Sequence, residues 1–60
     1  MNDMELVLTL MNKINVRFIN IDYHYIEVKN LNNTKEDERF FFDFDEDDYH
    51  LIEFGKYIRN

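Results

Sequence analysis

Residues 39 to 48 place the strongest constraint on what this chain can fold into. Four phenylalanines occupy the five positions from 40 to 44, and four consecutive carboxylates follow from 45 to 48. The alternation of a strand would put Phe40, Phe42 and Phe44 on one side and Phe41 on the other. The chain must therefore bury one face of this strand while it keeps a dense block of negative charge in water.

The negative charge of the chain is concentrated in its second half. Residues 1–35 carry four acids and four bases, whereas residues 36–60 carry nine acids and three bases, so the formal net charge of -6 belongs to the C-terminal segment. A chain with a net negative charge should not bind nucleic acid or anionic membranes. Segregated charge favours a binding partner over a catalysed reaction.

The length predicts a single domain, residues 1–60, with a small core. A chain of 60 residues buries only about 60% of its unfolded surface, and its core supplies roughly 3–5 kcal/mol. The absence of cysteine excludes disulfides and thiolate zinc sites and fits a reducing cytoplasm.

The apolar runs fall far short of the ~20 residues that span a bilayer. Because acids precede the first base, unlike in a signal peptide, we expect a cytoplasmic protein without membrane contact.

The N-terminal segment has the periodicity of an amphipathic helix. Its apolar residues recur at Met4, Val7, Leu8, Met11 and Ile14. Asn2 followed by Glu5 has the spacing of a capping box. These features predict one helix at the start of the chain.

From residue 15 onward the apolar period changes to two, which predicts strands. We expect two antiparallel strands linked at residues 20–22, a polar loop at 30–37, and a third strand over about 38–44. The C-terminal segment has two interpretations: a turn at 45–48 before a fourth strand, which we favour, or a helix capped by Asp45. The predicted fold is therefore α+β, with one N-terminal helix on an antiparallel sheet of three or four strands, αββββ being favoured over αβββα.

One helix covers one face of such a sheet, so the two faces should differ. The face toward the helix is expected to hold Val16, Phe18, Ile26, Val28, Phe40, Phe42 and Phe44. The opposite face, which is either solvated or used for binding, is expected to hold Tyr23, Tyr25, Glu27, Phe41 and Asp43, with Asp45 as a further candidate.

The sequence carries no recognisable catalytic signature. The chain has neither Ser nor Cys as a nucleophile, and its single Gly excludes a Gly-rich phosphate loop. His24 and His50 are interpreted as ordinary half-exposed strand residues. We therefore expect no enzymatic activity and no cofactor.

A calcium loop is the nearest metal-binding pattern, and it fails at its key positions. Asp43, Asp45 and Asp47 match the first three ligand positions. The sixth position, which requires Gly for a sharp turn, is Asp48, and the twelfth, which requires Glu, is Phe54. We therefore expect no dedicated metal site.

The acidic block is the remaining candidate for function, as a surface that binds a partner. Aromatic residues anchor interfaces, whereas carboxylates mainly steer association. The predicted binding residues are Asp43, Asp45, Glu46, Asp47 and Asp48, with Glu36, Asp37 and Glu38 as auxiliary acids and Tyr23, Tyr25 and Phe41 as aromatic anchors.

The chain resembles small phage-encoded anti-defence proteins, and among them anti-CRISPR proteins that imitate DNA. The resemblance covers the whole chain in its size and general character, with a capped N-terminal helix, short strands, an acid-rich C-terminal half and a composition rich in Asn and Ile. It implies a basic, nucleic-acid-binding host protein as the target, such as a CRISPR effector, a restriction enzyme or a repair glycosylase. The protein would inhibit that target in the bacterial cytoplasm by occupying its cationic groove, without binding nucleic acid itself.

The alternative to inhibition is a structural role. In that case the protein is a homodimer or a self-associating assembly module whose exposed sheet face contacts a second copy. The acids would then only keep the chain in solution.

Overall fold

A computed structural model covering residues 1–60 shows one helix followed by four strands. The elements are α1 (Asp3–Met11), β1 (Val16–Ile21), β2 (Tyr25–Asn30), β3 (Asp37–Phe44) and β4 (Leu51–Arg59). The strands form one antiparallel sheet in the order β1-β2-β3-β4. The αββββ prediction is confirmed and the αβββα alternative is wrong. No helix here has the length and apolarity needed to cross a membrane.

The helix begins with the predicted capping box. The Asn2 side chain accepts a hydrogen bond from the Glu5 amide at 2.8 Å, and the Glu5 carboxylate accepts one from the Asn2 amide at 3.1 Å. The helix ends earlier than its apolar period suggests, because Asn12 caps it through a side-chain bond to the Leu8 carbonyl at 2.9 Å. Ile14 therefore lies beyond the helix and is 54% exposed.

The link between β1 and β2 is displaced from the predicted position. β1 runs through Ile21 because a register shift between Phe18 and Asn20 inserts Ile19 as an extra residue, a β-bulge. The turn consists of residues 22–24, where Asp22 accepts a hydrogen bond from the His24 amide at 3.0 Å. Tyr23 is therefore in a turn, and its predicted place on the outer sheet face is wrong.

The core lies between α1 and one face of the sheet. The buried apolar side chains are Met4, Ile26, Val28 and Phe44. The partly buried residues packed around them are Val7, Leu8, Met11, Val16, Phe18, Phe40, Phe42, Tyr49 and Leu51. Every residue predicted to face the helix belongs to this set, so strand alternation identified the inner face correctly.

The opposite face of the sheet is closed by a polar cluster instead of being left to solvent. Glu27 on β2 and Arg39 on β3 are both buried, and Arg39 Nη1 lies 3.4 Å from Glu27 Oε2. The hydroxyls of Tyr25 and Tyr57 also donate to the Glu27 carboxylate. Asp37 accepts two hydrogen bonds from the Arg39 guanidinium, each at 3.2 Å. Every buried side-chain polar atom has a hydrogen-bond partner, so this Glu27–Arg39 cluster leaves no buried polar group unpaired.

Phe41 packs beside this cluster over the only glycine. A Cβ placed on Gly55 would lie 2.9 Å from the Phe41 ring, so the ring occupies the space that a side chain on β4 would need. The ring also lies 6.4 Å from that of Tyr57. Phe41 is therefore half-buried by the strand next to it.

Candidate functional site

The antiparallel topology collects acids from distant parts of the chain at one end of the sheet. β1 ends, β2 begins, β3 ends and β4 begins at this end. The helix begins there too, because Asp3 accepts a hydrogen bond from the Leu51 amide at 2.7 Å. We call it the acidic end, and its nine carboxylates are Asp3, Glu5, Asp22, Asp43, Asp45, Glu46, Asp47, Asp48 and Glu53.

All seven lysines and arginines lie in the opposite half of the molecule, which we call the basic end. This half holds Lys13, Arg17, Lys29, Lys35, Arg39, Lys56 and Arg59 together with three acids, Glu36, Asp37 and Glu38. The remaining acid, Glu27, lies near the middle of the sheet, opposite Phe41. The formal charge is therefore divided along the direction of the strands. Folding converts a charge bias along the sequence into an electrostatic dipole.

The auxiliary acids predicted from the sequence do not join the acidic end. Asp37 and Glu38 begin β3 and Asp43 lies near its end, so about six residues of strand, or roughly 20 Å, separate the two groups. Asp37 contacts Arg39 and Lys29, and Glu38 contacts Lys56. Glu36 is exposed in the preceding loop. Asp37 and Glu38 thus have bases as neighbours, and none of the three adds charge to the acidic end.

The turn between β3 and β4 fixes four of the predicted acids. Asp45 Oδ1 accepts hydrogen bonds from the amides of Asp47 at 2.8 Å and Asp48 at 3.4 Å. The turn closes through a bond from the Tyr49 amide to the Asp45 carbonyl at 2.9 Å, and Tyr49 has a φ of 62°. Glu46 and Asp47 are consequently held at the tip, where their side chains are exposed.

Two histidines are the only other side chains at the acidic end that can become cationic. His24 Nδ1 lies 2.9 Å from Asp43 Oδ1, and this hydrogen bond raises the pKa of His24. His50 bonds through Nδ1 to Asp48, and that bond likewise raises the pKa of His50. The His50 amide donates to the same carboxylate, and these bonds lower the pKa of Asp48. The charge of the acidic end therefore falls as these histidines take up protons.

The turn brings together three side chains of the types that ligate metal ions. One oxygen or nitrogen atom from each of Asp45, Asp48 and His50 lies within 4.8 Å of the others. Asp45 and Asp48 accept hydrogen bonds from backbone amides in the turn, as described above. The hydrogen bonds of the turn thus explain why these side chains lie together. The grouping gives no further support to the calcium-loop pattern of the sequence.

The aromatic residues predicted as anchors lie in three different settings. Tyr23 is 63% exposed at the acidic end, edge-on to the His24 ring at 4.8 Å. Tyr25 is half-buried with its hydroxyl bonded to Glu27, and burial together with that bond raises its pKa. Phe41 lies over Gly55. Among the three, only Tyr23 offers an exposed ring beside the carboxylates.

Sequence reasoning missed a second aromatic residue at this end. Tyr49 lines a shallow apolar groove with Tyr23, Met4 and Leu8, and Glu5 lies at its edge. The groove forms because the first turns of the helix meet two strand connections. Helix and hairpin signals in the sequence could have identified it, since in an αββββ order these segments share one end.

We expect the thermal stability of the protein to be highest between about pH 5 and 6.5. The raised pKa values of His24 and His50 contribute stability that is present below about 6.5 and is lost as the pH rises through their folded values. The hydrogen bonds from Arg39 lower the pKa of Asp37. Burial opposes ionisation of Glu27, but the bonds from Tyr25, Tyr57 and Arg39 prevail and lower its pKa. These two contributions are present above about pH 4.5 and are lost as the pH falls through the folded pKa values.

Melting temperatures measured across this range, for the wild type and a His24→Gln/His50→Gln variant, test the expectation. The variant should lose the decline above pH 6.5 and keep the decline in acid. An unchanged decline in the variant would show that other groups cause it.

Comparison with known proteins found no match: no family model, curated protein or solved structure matches the chain.

Proposed function

We propose that the protein binds a basic, nucleic-acid-binding protein of a bacterial host and blocks its cationic groove with the acidic end. The observation that carries this proposal is the gathering of nine carboxylates, without any lysine or arginine, at one end of the molecule. A groove that holds nucleic acid is built to accept dense negative charge. The protein would act in the cytoplasm, by binding alone and without catalysis, and a CRISPR effector or a similar defence or repair enzyme is the class of target we favour.

Accessibility of the charge supports this proposal. Seven of the nine carboxylates belong to exposed residues, namely Asp3, Glu5, Asp22, Glu46, Asp47, Asp48 and Glu53. No Lys or Arg forms an ion pair with any of them. Asp22 and Asp48 have only histidines as basic neighbours. A cationic groove would therefore meet carboxylates that no lysine or arginine of the protein neutralises, which favours fast and oriented association.

The apolar groove beside these acids supplies contacts that charge alone lacks. Tyr23 and Tyr49 line it with Met4 and Leu8. Tyrosine combines a large apolar ring with a hydroxyl, and such residues supply much of the binding energy at interfaces. The proposed interface therefore has an aromatic centre and a charged rim.

The test is capture of the target followed by competition with DNA. The tagged protein is incubated with a bacterial lysate, and bound proteins are eluted separately with salt and with duplex DNA. We expect a nucleic-acid-binding protein that DNA displaces and whose DNA binding the pure protein inhibits. Recovery of only the bait, or of proteins that DNA cannot displace, would contradict the proposal.

A further inference from the structure

The edge strand β4 exposes apolar side chains that the helix does not cover. Phe54 is 67% exposed and Ile58 is 41% exposed, although both lie on the helix side of the sheet opposite Phe42 and Glu38. The buried apolar core consists of only four residues. A domain with so small a core gains stability from covering such residues.

The backbone of β4 is also open to further pairing. β4 pairs only with β3, so the hydrogen-bonding groups on its outer side have no strand beside them. Its pairing with β3 is regular from Glu53 to Arg59, with the register shift confined to the segment before Glu53. A long, regular edge strand is a template for a further strand. The other edge strand, β1, is interrupted by the bulge at Ile19, which opposes such pairing.

Charge identifies a second copy of this chain as the occupant of the β4 edge. Two copies paired antiparallel along β4 place the acidic end of each beside the basic end of the other. Within one chain, Glu53 faces Asp43 across the strands, and neither Glu53 nor Arg59 forms an ion pair. These two unpaired charges lie at opposite ends of the regular segment, so antiparallel pairing brings each one to its complement.

We propose that the protein forms a two-fold symmetric dimer through antiparallel pairing of β4, centred on Lys56. This register pairs the whole regular segment: Glu53 lies opposite Arg59 of the partner subunit, and Phe54 lies opposite Ile58 of the partner subunit, each pair occurring twice. Gly55 lies opposite Tyr57 of the partner subunit. The two Lys56 side chains meet at the axis, where Glu38 of the same chain, 3.6 Å from Lys56 Nζ, offsets their repulsion. The product is one eight-stranded sheet with both helices on the same side.

This dimer goes beyond the proposed inhibition and does not depend on it. The two acidic ends would point in opposite directions along the shared sheet, because the two-fold axis reverses the long axis of one copy. Each acidic end would remain open for a partner, with Arg59 of the other subunit beside Glu53.

The first test uses the absence of native cysteine. A Lys56→Cys variant places two thiols opposite each other at the dimer axis, within the separation that a disulfide requires. An Ile21→Cys variant, which is also at an exposed position but on β1, is the matched control. We expect mild oxidation to convert the Lys56→Cys variant to a covalent dimer much faster than the control. Equal rates, or faster cross-linking at Ile21, would overturn the assignment of β4 as the interface.

The second test is a charge swap measured by analytical ultracentrifugation. Glu53→Arg places two arginines opposite each other, and Arg59→Glu places two glutamates opposite each other, so each single change should weaken dimerisation. Like-charge pairs of this kind, occurring twice, correspond to about a tenfold rise in Kd. The Glu53→Arg/Arg59→Glu double variant should restore the wild-type Kd. A wild-type protein that stays monomeric at all concentrations, or a double variant no better than either single variant, would overturn the proposal.

Discussion

Replacing Glu27 with alanine is expected to lower the free energy of unfolding by about 3–5 kcal/mol. Glu27 accepts hydrogen bonds from Arg39, Tyr25 and Tyr57, and both Glu27 and Arg39 are buried. Without its carboxylate, the Arg39 charge would keep Asp37 as its one remaining carboxylate partner, and two tyrosine hydroxyls would lose their acceptor. Since a core of this size supplies roughly 3–5 kcal/mol, the variant should be largely unfolded at room temperature, as circular dichroism would show.

Graded variants separate the buried charge from its individual hydrogen bonds. Tyr57→Phe removes one donor to Glu27 and should cost only about 1 kcal/mol. Glu36→Ala, which removes an exposed carboxylate from a loop, should change stability by less than about 0.5 kcal/mol. A Glu27→Leu/Arg39→Met double variant removes both charges together and should be more stable than Glu27→Ala. If Glu27→Ala unfolds at the wild-type urea concentration, the Glu27–Arg39 cluster does not stabilise the fold.

Reversing charge at the tip of the acidic end is expected to abolish binding to the proposed target. Glu46 and Asp47 are exposed, and the only hydrogen bond made by either side chain is a long one of 3.5 Å from Tyr23 to Glu46. A Glu46→Lys/Asp47→Lys variant should therefore fold normally. Like charges brought together in an interface cost several kcal/mol, so we expect affinity to fall by about 100-fold or more. Titration calorimetry with the captured target measures the change.

The basic end offers a control with the same change in net charge. A Thr34→Lys/Glu36→Lys/Asn60→Lys variant also raises the net charge by four, at exposed positions remote from the acidic end of the same chain. It should keep most of the affinity, because the loss depends on where the charge lies. Equal losses in the two variants would show that only net charge matters and would remove the case for the acidic end. Asp45 is unsuitable for this test, because its carboxylate organises the turn.

The inner face of the sheet was predictable because its signals are local. Alternation of apolar residues identified Phe40, Phe42 and Phe44 as core residues, and the Asn2–Glu5 spacing identified the start of the helix. Each of these features depends on residues within one element, where the geometry of a helix or strand fixes which side chains point together. Local patterns likewise favour a fourth strand over a helix at the C-terminus, although the acids at 45–48 suit either.

The candidate site was only partly predictable, because it draws on segments far apart in the chain. The sequence identified Asp43 and the run from Asp45 to Asp48, which share one turn. It did not associate Asp3, Glu5, Asp22 and Glu53 with that run, and it placed Glu36, Asp37 and Glu38 near it. A strand of eight residues carries its two ends roughly 25 Å apart, so acids that are close in sequence on either side of β3 became distant in space.

The sequence by itself determined the helix, the order of the elements along the chain and which apolar residues form the core. These follow from periodicity and capping, which are properties of consecutive residues. Only the tertiary structure decided that Glu27 and Arg39 are buried together, that nine acids share one end, and that β4 leaves an apolar edge uncovered. The physical reason is that charge pairing, electrostatic dipoles and edge exposure depend on register and topology, which bring together residues from several strands.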